Sequence, residues 1–386
     1  MLLIKNGKVM TMAGTNYDNG SVLIHDGKIV EVGSNIEAPK DAEILDVKGA
    51  WVMPGIIDAH CHLGMWEENM GFEGDDGNEM TDPITPQLRA IDAVNPMDAA
   101  FEKAVAGGIT SVMTGPGSAN VIGGQFAAIK TYGKVIDKMI IKEFAAMKIA
   151  FGENPKRVYS SKNKMPMTRM ATAAMLRETL TNAKNYKAKK ESALSKNEPF
   201  EVNIKMEALL PVIEKKIPLK AHAHRADDII TAIRIAKEFD VLITLEHCTE
   251  GHLIADYIAE QGLSAIVGPT MTFATKIELQ NKTFKTPVEL FNAGVKVAIM
   301  TDHPVIQLQY LPVTAGLAVK AGLPMEEGFK AITINAAEIA GIADRVGSLE
   351  KGKDADIAIF DGNPMEIFTH TLYTIIDGEI VYNHNK

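Results

Sequence analysis

Pro54-Gly55-Ile56-Ile57-Asp58-Ala59-His60-Cys61-His62 is the stretch on which the reading of this chain turns. A short apolar run leads into two histidines one residue apart, and in an extended strand residues two apart face the same side. His60 and His62 therefore project together, while Cys61 points away. Two imidazoles at a strand end suit a metal ion, although a lone His-X-His also arises as satisfied core or surface residues.

Three further apolar runs end in the same class of residue. They are Lys220-Ala221-His222-Ala223-His224, Thr244-Leu245-Glu246-His247 and Ile299-Met300-Thr301-Asp302-His303. Six of the ten histidines fall at these four strand ends, a distribution that independent structural histidines would rarely produce. A mixture of imidazoles and one carboxylate matches zinc or another divalent transition ion.

Around these runs, residues 51–345 alternate short apolar strands with helical stretches, as repeated βα units do. Strands are predicted at 50–57, 109–114, 148–151, 218–221, 241–245, 263–267 and 295–300, with a third strand placed near 139–141. Periodicity alone fits both a closed (β/α)8 TIM-like barrel and an open doubly wound sheet. The open sheet lacks support, because Gly115-Pro116-Gly117 and Gly123-Gly124 do not have dinucleotide-binding spacing. A barrel gathers the C-terminal ends of all its strands into one mouth, so distant ligands become neighbours. The stretch 115–125 after the second strand either shapes that mouth or forms a tight turn. The lysine-rich stretch 186–197 reads as a solvated helix face or its connecting loop.

Both ends of the chain are different. Residues 1–50 and 346–386 carry β-branched runs separated by Asp26-Gly27 and Asp377-Gly378, which are hairpin signals. They predict one small β-sandwich domain built from both termini, beside a barrel over 51–345.

Composition excludes other classes. The 386 residues are 46% hydrophobic with a formal charge of -9, which gives no footprint for nucleic acid or an anionic membrane. Small-molecule chemistry is the expectation, with a homo-oligomer left open. Cys61 and Cys248 are too few for a disulfide framework and read as small buried hydrophobes. The N-terminus reaches charge and glycine too soon for a secretory segment, and no later run has membrane-spanning length, so a cytoplasmic location is expected.

With these strings in view, the chain resembles the amidohydrolase superfamily, more narrowly its imidazolonepropionase-related and prolidase-like members. The resemblance covers essentially the whole chain, including Gly347-Ser348-Leu349-Glu350-Lys351-Gly352-Lys353-Asp354-Ala355-Asp356. It implies that His60 and His62 bind one metal, that His222 and His247 bind another, and that Asp302 is both a ligand and the proton acceptor. In binuclear members a carboxylated lysine on the fourth strand bridges the ions, which points to Lys148. A lysine in an apolar strand also serves by reaching a rim or pairing with Glu153. If Lys148 faces away, the expected site is a single ion on His60, His62, His222 or His247, and Asp302, with Glu153 as the next residue to consider. His224, His303, Arg225 and Glu153 are the candidates for substrate contact, with support of the ligands an equal alternative for the histidines and a surface or salt-bridge role the commoner one for an arginine at 225. The implied substrate is a small amide or peptide, and the implied reaction is hydrolysis of an amide, dipeptide or cyclic amide. Imidazolone-type ring opening and deamination follow in that order. A catalytically silent barrel scaffold is the rival, and retention of all five metal-ligand candidates speaks against it.

Overall fold

The computed structural model describes residues 1–385. Five strands come first: β1 (Leu2–Val9), β2 (Tyr17–His25), β3 (Lys28–Gly33), β4 (Glu43–Asp46) and β5 (Trp51–Pro54). The barrel strands follow as β6 (Ile56–Cys61), β7 (Ile109–Thr114), β8 (Ile122–Lys130), β9 (Ile140–Ala150), β10 (Leu219–Ala223), β11 (Ile243–His247), β12 (Ala265–Val267) and β13 (Val297–Ile299). The chain ends with β14 (Ile357–Phe360), β15 (Thr371–Ile376) and β16 (Glu379–Asn383).

Strands β6 to β13 form one eight-stranded sheet in sequence order. Most are buried along their whole length, which explains why they read as unbroken apolar runs rather than alternating ones. The sheet is nearly closed. β6 and β13 form no ladder, but His62 N–H donates to the His303 carbonyl at 2.9 Å across the gap.

The barrel departs from the regular all-parallel (β/α)8 expectation at one position. β8 runs antiparallel to both β7 and β9, with no α-helix on either side of it and only the 3-10 turn Ile136–Lys138 before β9. The third strand is therefore 122–130, not a segment near 139–141, which belongs to the start of β9. Gly124 in β8 has φ +136°, and a Cβ there would sit 2.6 Å from the Leu88 carbonyl oxygen. The glycines that suggested a turn instead let a strand pass close to neighbouring backbone.

The second sheet takes strands from both ends of the chain, in the order β16-β15-β14-β5-β1-β2-β3, with β4 also on β1. It is a single mixed eight-stranded sheet where a sandwich was expected. The predicted strand 50–57 is split at Gly55: residues 51–54 pair with β1 and β14, while β6 opens the barrel. Val9, Val22, Val52, Ile357, Ile359 and Ile375 form the core of this sheet.

Helices cover the barrel by presenting apolar stripes. Arg169–Ser195 buries Thr172, Leu176, Thr179, Leu180, Ala183 and Tyr186, a spacing of three and four that keeps one face inward. Thr168 caps it by accepting from Ala171 N–H at 3.1 Å. Each fully buried leucine on that face contributes roughly 1.5–3 kcal/mol of burial. Among the described residues, no helix is long and apolar enough to cross a membrane.

Candidate active site

The strand ends place two groups of ligand-type side chains at one cavity of about 510 Å³, which all of them line except the fully buried His60. His60, His62 and Asp302 form one group, with the Nε2 atoms of His62 and His60 lying 3.1 and 3.5 Å from Asp302 Oδ1. His222, His224 and His247 form the other, with ring centroids 4.2–4.7 Å apart. Lys148 joins them. It is fully buried, lines the cavity, and sets its Nζ 3.2 Å from His60 Nε2.

The strand-end backbone is itself unusual: His247, Cys248 and Asp302 have φ of +67°, +51° and +54°. Non-glycine residues occupy this left-handed region at a cost and concentrate at functional sites.

What holds each imidazole fixes what it can offer. His60 Nδ1 donates to Glu246 Oε2 at 2.8 Å, His62 Nδ1 to the Gly115 carbonyl at 2.7 Å, and His247 Nδ1 to the Gly268 carbonyl at 2.8 Å. With Nδ1 protonated toward these acceptors, each ring turns an Nε2 lone pair toward the cavity. Glu246 is itself clamped by Lys220 Nζ at 2.9 Å and Thr244 Oγ1 at 2.6 Å. Phe126 lies beneath, its ring centroid 5.3 Å from that of His60, with Lys148 and Lys220 Nζ 5.5 and 5.4 Å from it.

Burial holds the imidazoles of His60, His222, His224 and His247 well below their ordinary pKa, helped by neighbouring cations. Burial thus favours their neutral form. Burial also draws the Lys148 ammonium down to about 8, although Asp302 and Glu246 oppose the shift. Both ring nitrogens of His222 and Nε2 of His247 are buried without a hydrogen-bond partner. Unsatisfied buried donors and acceptors are costly, and neutral lone pairs crowded against a carboxylate repel one another. A divalent cation removes both penalties, so the residues present fit a metal.

The remaining candidates are dispersed. His224, first considered for substrate contact, sits in the three-histidine group, its Nδ1 2.8 Å from Thr249 Oγ1. His303 is buried beside the site but does not line the cavity; burial lowers it to about 4, opposed by Asp98 and Glu68. Arg225 lies outside the cavity, where it pairs with Asp227 at 2.9 Å just before the helix Ala226–Phe239. Glu153 begins the helix Glu153–Ser160 and does not line the cavity; its backbone N–H donates to Glu278 Oε2 at 2.9 Å. Its neighbours Asn154 and Arg157 line the cavity instead. Sequence reasoning missed both, along with the support given by Glu246 and Lys220. The last two could have been sought, since each lies two residues from a histidine ligand candidate or directly beside one in strands ending at the mouth.

A near-closed barrel with six ligand-type side chains at the C-terminal ends of its strands defines a class of α/β barrel whose mouth is fitted to hold metal ions. The comparisons agree with that class. Residues 51–381 match the Amidohydrolase family, and the chain belongs to that family. A crystal structure of an amidohydrolase from Thermotoga maritima is 45% identical with TM-score 0.97, covering 100% of both chains. Amidohydrolase tasK of Hapsidospora irregularis is 28% identical over 93% of this chain, which spans only 39% of that relative's length. An imidazolonepropionase of Mesorhizobium japonicum is 25% identical over 92% of this chain and 91% of its own.

Proposed function

We propose that the chain is a metal-dependent hydrolase that cleaves a carbon–nitrogen bond in a small amide, dipeptide or cyclic amide. The observation that carries this reading is the meeting of two ligand groups around Lys148 in one cavity. His60, His62 and Asp302 would hold one divalent ion, zinc best matching the imidazole-rich set, and His222 and His247, with His224 beside them, would hold a second. The chemistry such ions supply is Lewis acidity toward a carbonyl and a lowered pKa of water.

The chain's own residues do the rest. Asp302, whose side chain is 14% exposed, takes the proton of the attacking water on a carboxylate oxygen and passes it to the leaving nitrogen as the C–N bond breaks. Glu246 keeps the His60 ring oriented through Nδ1. Lys148 in its neutral form adds carbon dioxide, forming an N–C bond and releasing a proton. The resulting carbamate offers two oxygens between the two groups. The 3.2 Å contact of Lys148 Nζ with His60 favours a second arrangement, with an unmodified lysine and a single ion on His60, His62, His222 or His247, and Asp302.

Peptide-type hydrolysis is the preferred reaction. The near full-length likeness to an imidazolonepropionase favours opening of a cyclic amide as the next, and deamination follows. The test is a panel of dipeptides, N-acyl amino acids, lactams and cyclic imides. Each is assayed with enzyme as purified, exhaustively chelated, and reloaded with zinc. Turnover that disappears on chelation and returns on reloading is expected; turnover indifferent to chelation would remove the reading.

A further inference from the structure

The cavity has a cationic wall that the proposed chemistry does not use. Five of the seven arginines pair with a carboxylate: Arg89, Arg169, Arg177, Arg225 and Arg345. Arg157 and Arg234 have no such partner among the described residues, and of these two only Arg157 lines the cavity. Asp302 is the single carboxylate in that lining, and it belongs to the ligand groups. In a chain whose formal charge is -9, an unpaired guanidinium facing a cavity is a local exception.

A second observation concerns the side chains around it. Asn154, one turn before Arg157 on the helix Glu153–Ser160, donates through Nδ2 to Ser118 Oγ at 2.8 Å. Its Oδ1 accepts from Lys276 Nζ at 3.0 Å, and Lys276 is also held by Glu278 at 2.9 Å. Segments that follow β7, β9 and β12 are thus tied together at this wall, and Ser118, Asn154 and Lys276 all line the cavity beside Arg157. Trp66 and Phe273 supply apolar lining, Trp66 standing edge-on to His62 with ring centroids 4.7 Å apart. A guanidinium prefers a carboxylate because its planar donor fork matches the two oxygens.

We propose that Arg157, flanked by the Ser118–Asn154–Lys276 wall, forms a subsite for a carboxylate carried by the substrate away from the bond that is cut. This rests on the hydrolase reading and narrows it. The substrate class becomes N-acyl amino acids, dipeptides with a free C-terminus, or cyclic amides bearing a carboxylate. Neutral amides of the same shape leave the guanidinium without its partner.

The experiment compares N-acyl amino acids and dipeptides with their C-terminal primary amides. Binding to the zinc-loaded enzyme is measured by calorimetry, and turnover is measured alongside. The free acids should bind about tenfold to a hundredfold more tightly, as expected for a charge-assisted hydrogen-bonded pair. Arg157→Gln should bring the acid-to-amide ratio to within about threefold of one, while Arg157→Lys should keep an intermediate preference. Arg157 is exposed, so neither change threatens the core. Turnover of acids and amides with equal efficiency would overturn the carboxylate subsite and leave the hydrolase reading standing. An acid preference that survives in Arg157→Gln would also overturn it. Acid-selective binding lost in Arg157→Gln, with no turnover of any compound, would support the subsite and count against the hydrolase reading.

Discussion

Asp58 and Thr301 join the first barrel strand to the end of the last. Asp58 Oδ2 accepts from Thr301 N–H at 2.9 Å and from its hydroxyl at 2.6 Å, while Oδ1 accepts from His60 N–H at 3.0 Å. All four residues of the string 58–61 are buried, so these bonds form away from water. They close the barrel where β6 and β13 form no ladder, and they set the spacing between His60 and Asp302. Asp58→Ala strands the Thr301 donors and should cost about 3 kcal/mol. Chemical denaturation would measure this; a change below about 0.5 kcal/mol, typical of an unimportant position, would contradict it.

Replacing Glu246 by Gln should weaken metal retention about tenfold to a hundredfold while keeping the fold. The carboxylate orients His60 and is paired with Lys220. Competition with a chromogenic chelator reads the affinity, and circular dichroism checks the fold. Unchanged affinity would mean that His60 needs no such support.

A buried ion cluster ties the barrel to the terminal sheet. Lys130, at the end of β8, lies 2.7 Å from Asp356 and 2.9 Å from Asp354. Burial alone would depress its ammonium, but Asp356, Asp377 and Asp354 outweigh this and hold it above its ordinary pKa. Burial raises the Asp356 carboxyl despite Lys130. Lys130→Met leaves Asp356 without that partner and should cost about 3–5 kcal/mol. It also raises Asp356 further. A carboxyl raised in the folded state loses stability as pH rises through its folded value, so the deficit should be larger at about pH 8 than at about pH 5. Denaturant titrations at both pH values test this, and equal deficits would contradict it.

Removing residues 346–386 should yield insoluble protein. The deletion takes β14 from the edge of β5 and removes Ile357, Ile359 and Ile375 from the core of the terminal sheet. Soluble expression at the level of the full chain would show that residues 1–50 do not depend on the C-terminal strands.

How much of this was legible depended on local geometry. His60 and His62 could be read as a pair because strand alternation alone puts them together; Lys148 could be placed in a strand from the apolar run read as 148–151, but the strand begins at Ile140, and its first half was missed because it is only partly buried. His303 could not be read, because the backbone leaves the strand direction at Asp302, with φ +54°, and the next side chain departs from the cavity. Arg225, weighed as a contact for an anionic substrate against a surface or salt-bridge role, immediately precedes a helix and meets Asp227 there. β8 was hidden because all nine of its residues are buried, which erases alternation, and its two glycines imitate a turn. Arg157 lay on a polar helix that sequence alone reads as surface. Its place at the cavity appears only when the segments after β7, β9 and β12 are brought together.

Metal stoichiometry of the purified chain, measured by mass spectrometry of the elements and repeated for Lys148→Ala, tests the centre of the proposal most directly. The binuclear arrangement calls for about two transition ions per chain in the native protein. Lys148→Ala should fall to about one or fewer, with most activity lost. Two ions retained in Lys148→Ala would contradict the bridging role. A native protein that contains no transition ion, binds none on reconstitution, and still hydrolyses its substrate at full rate would contradict the metal site itself.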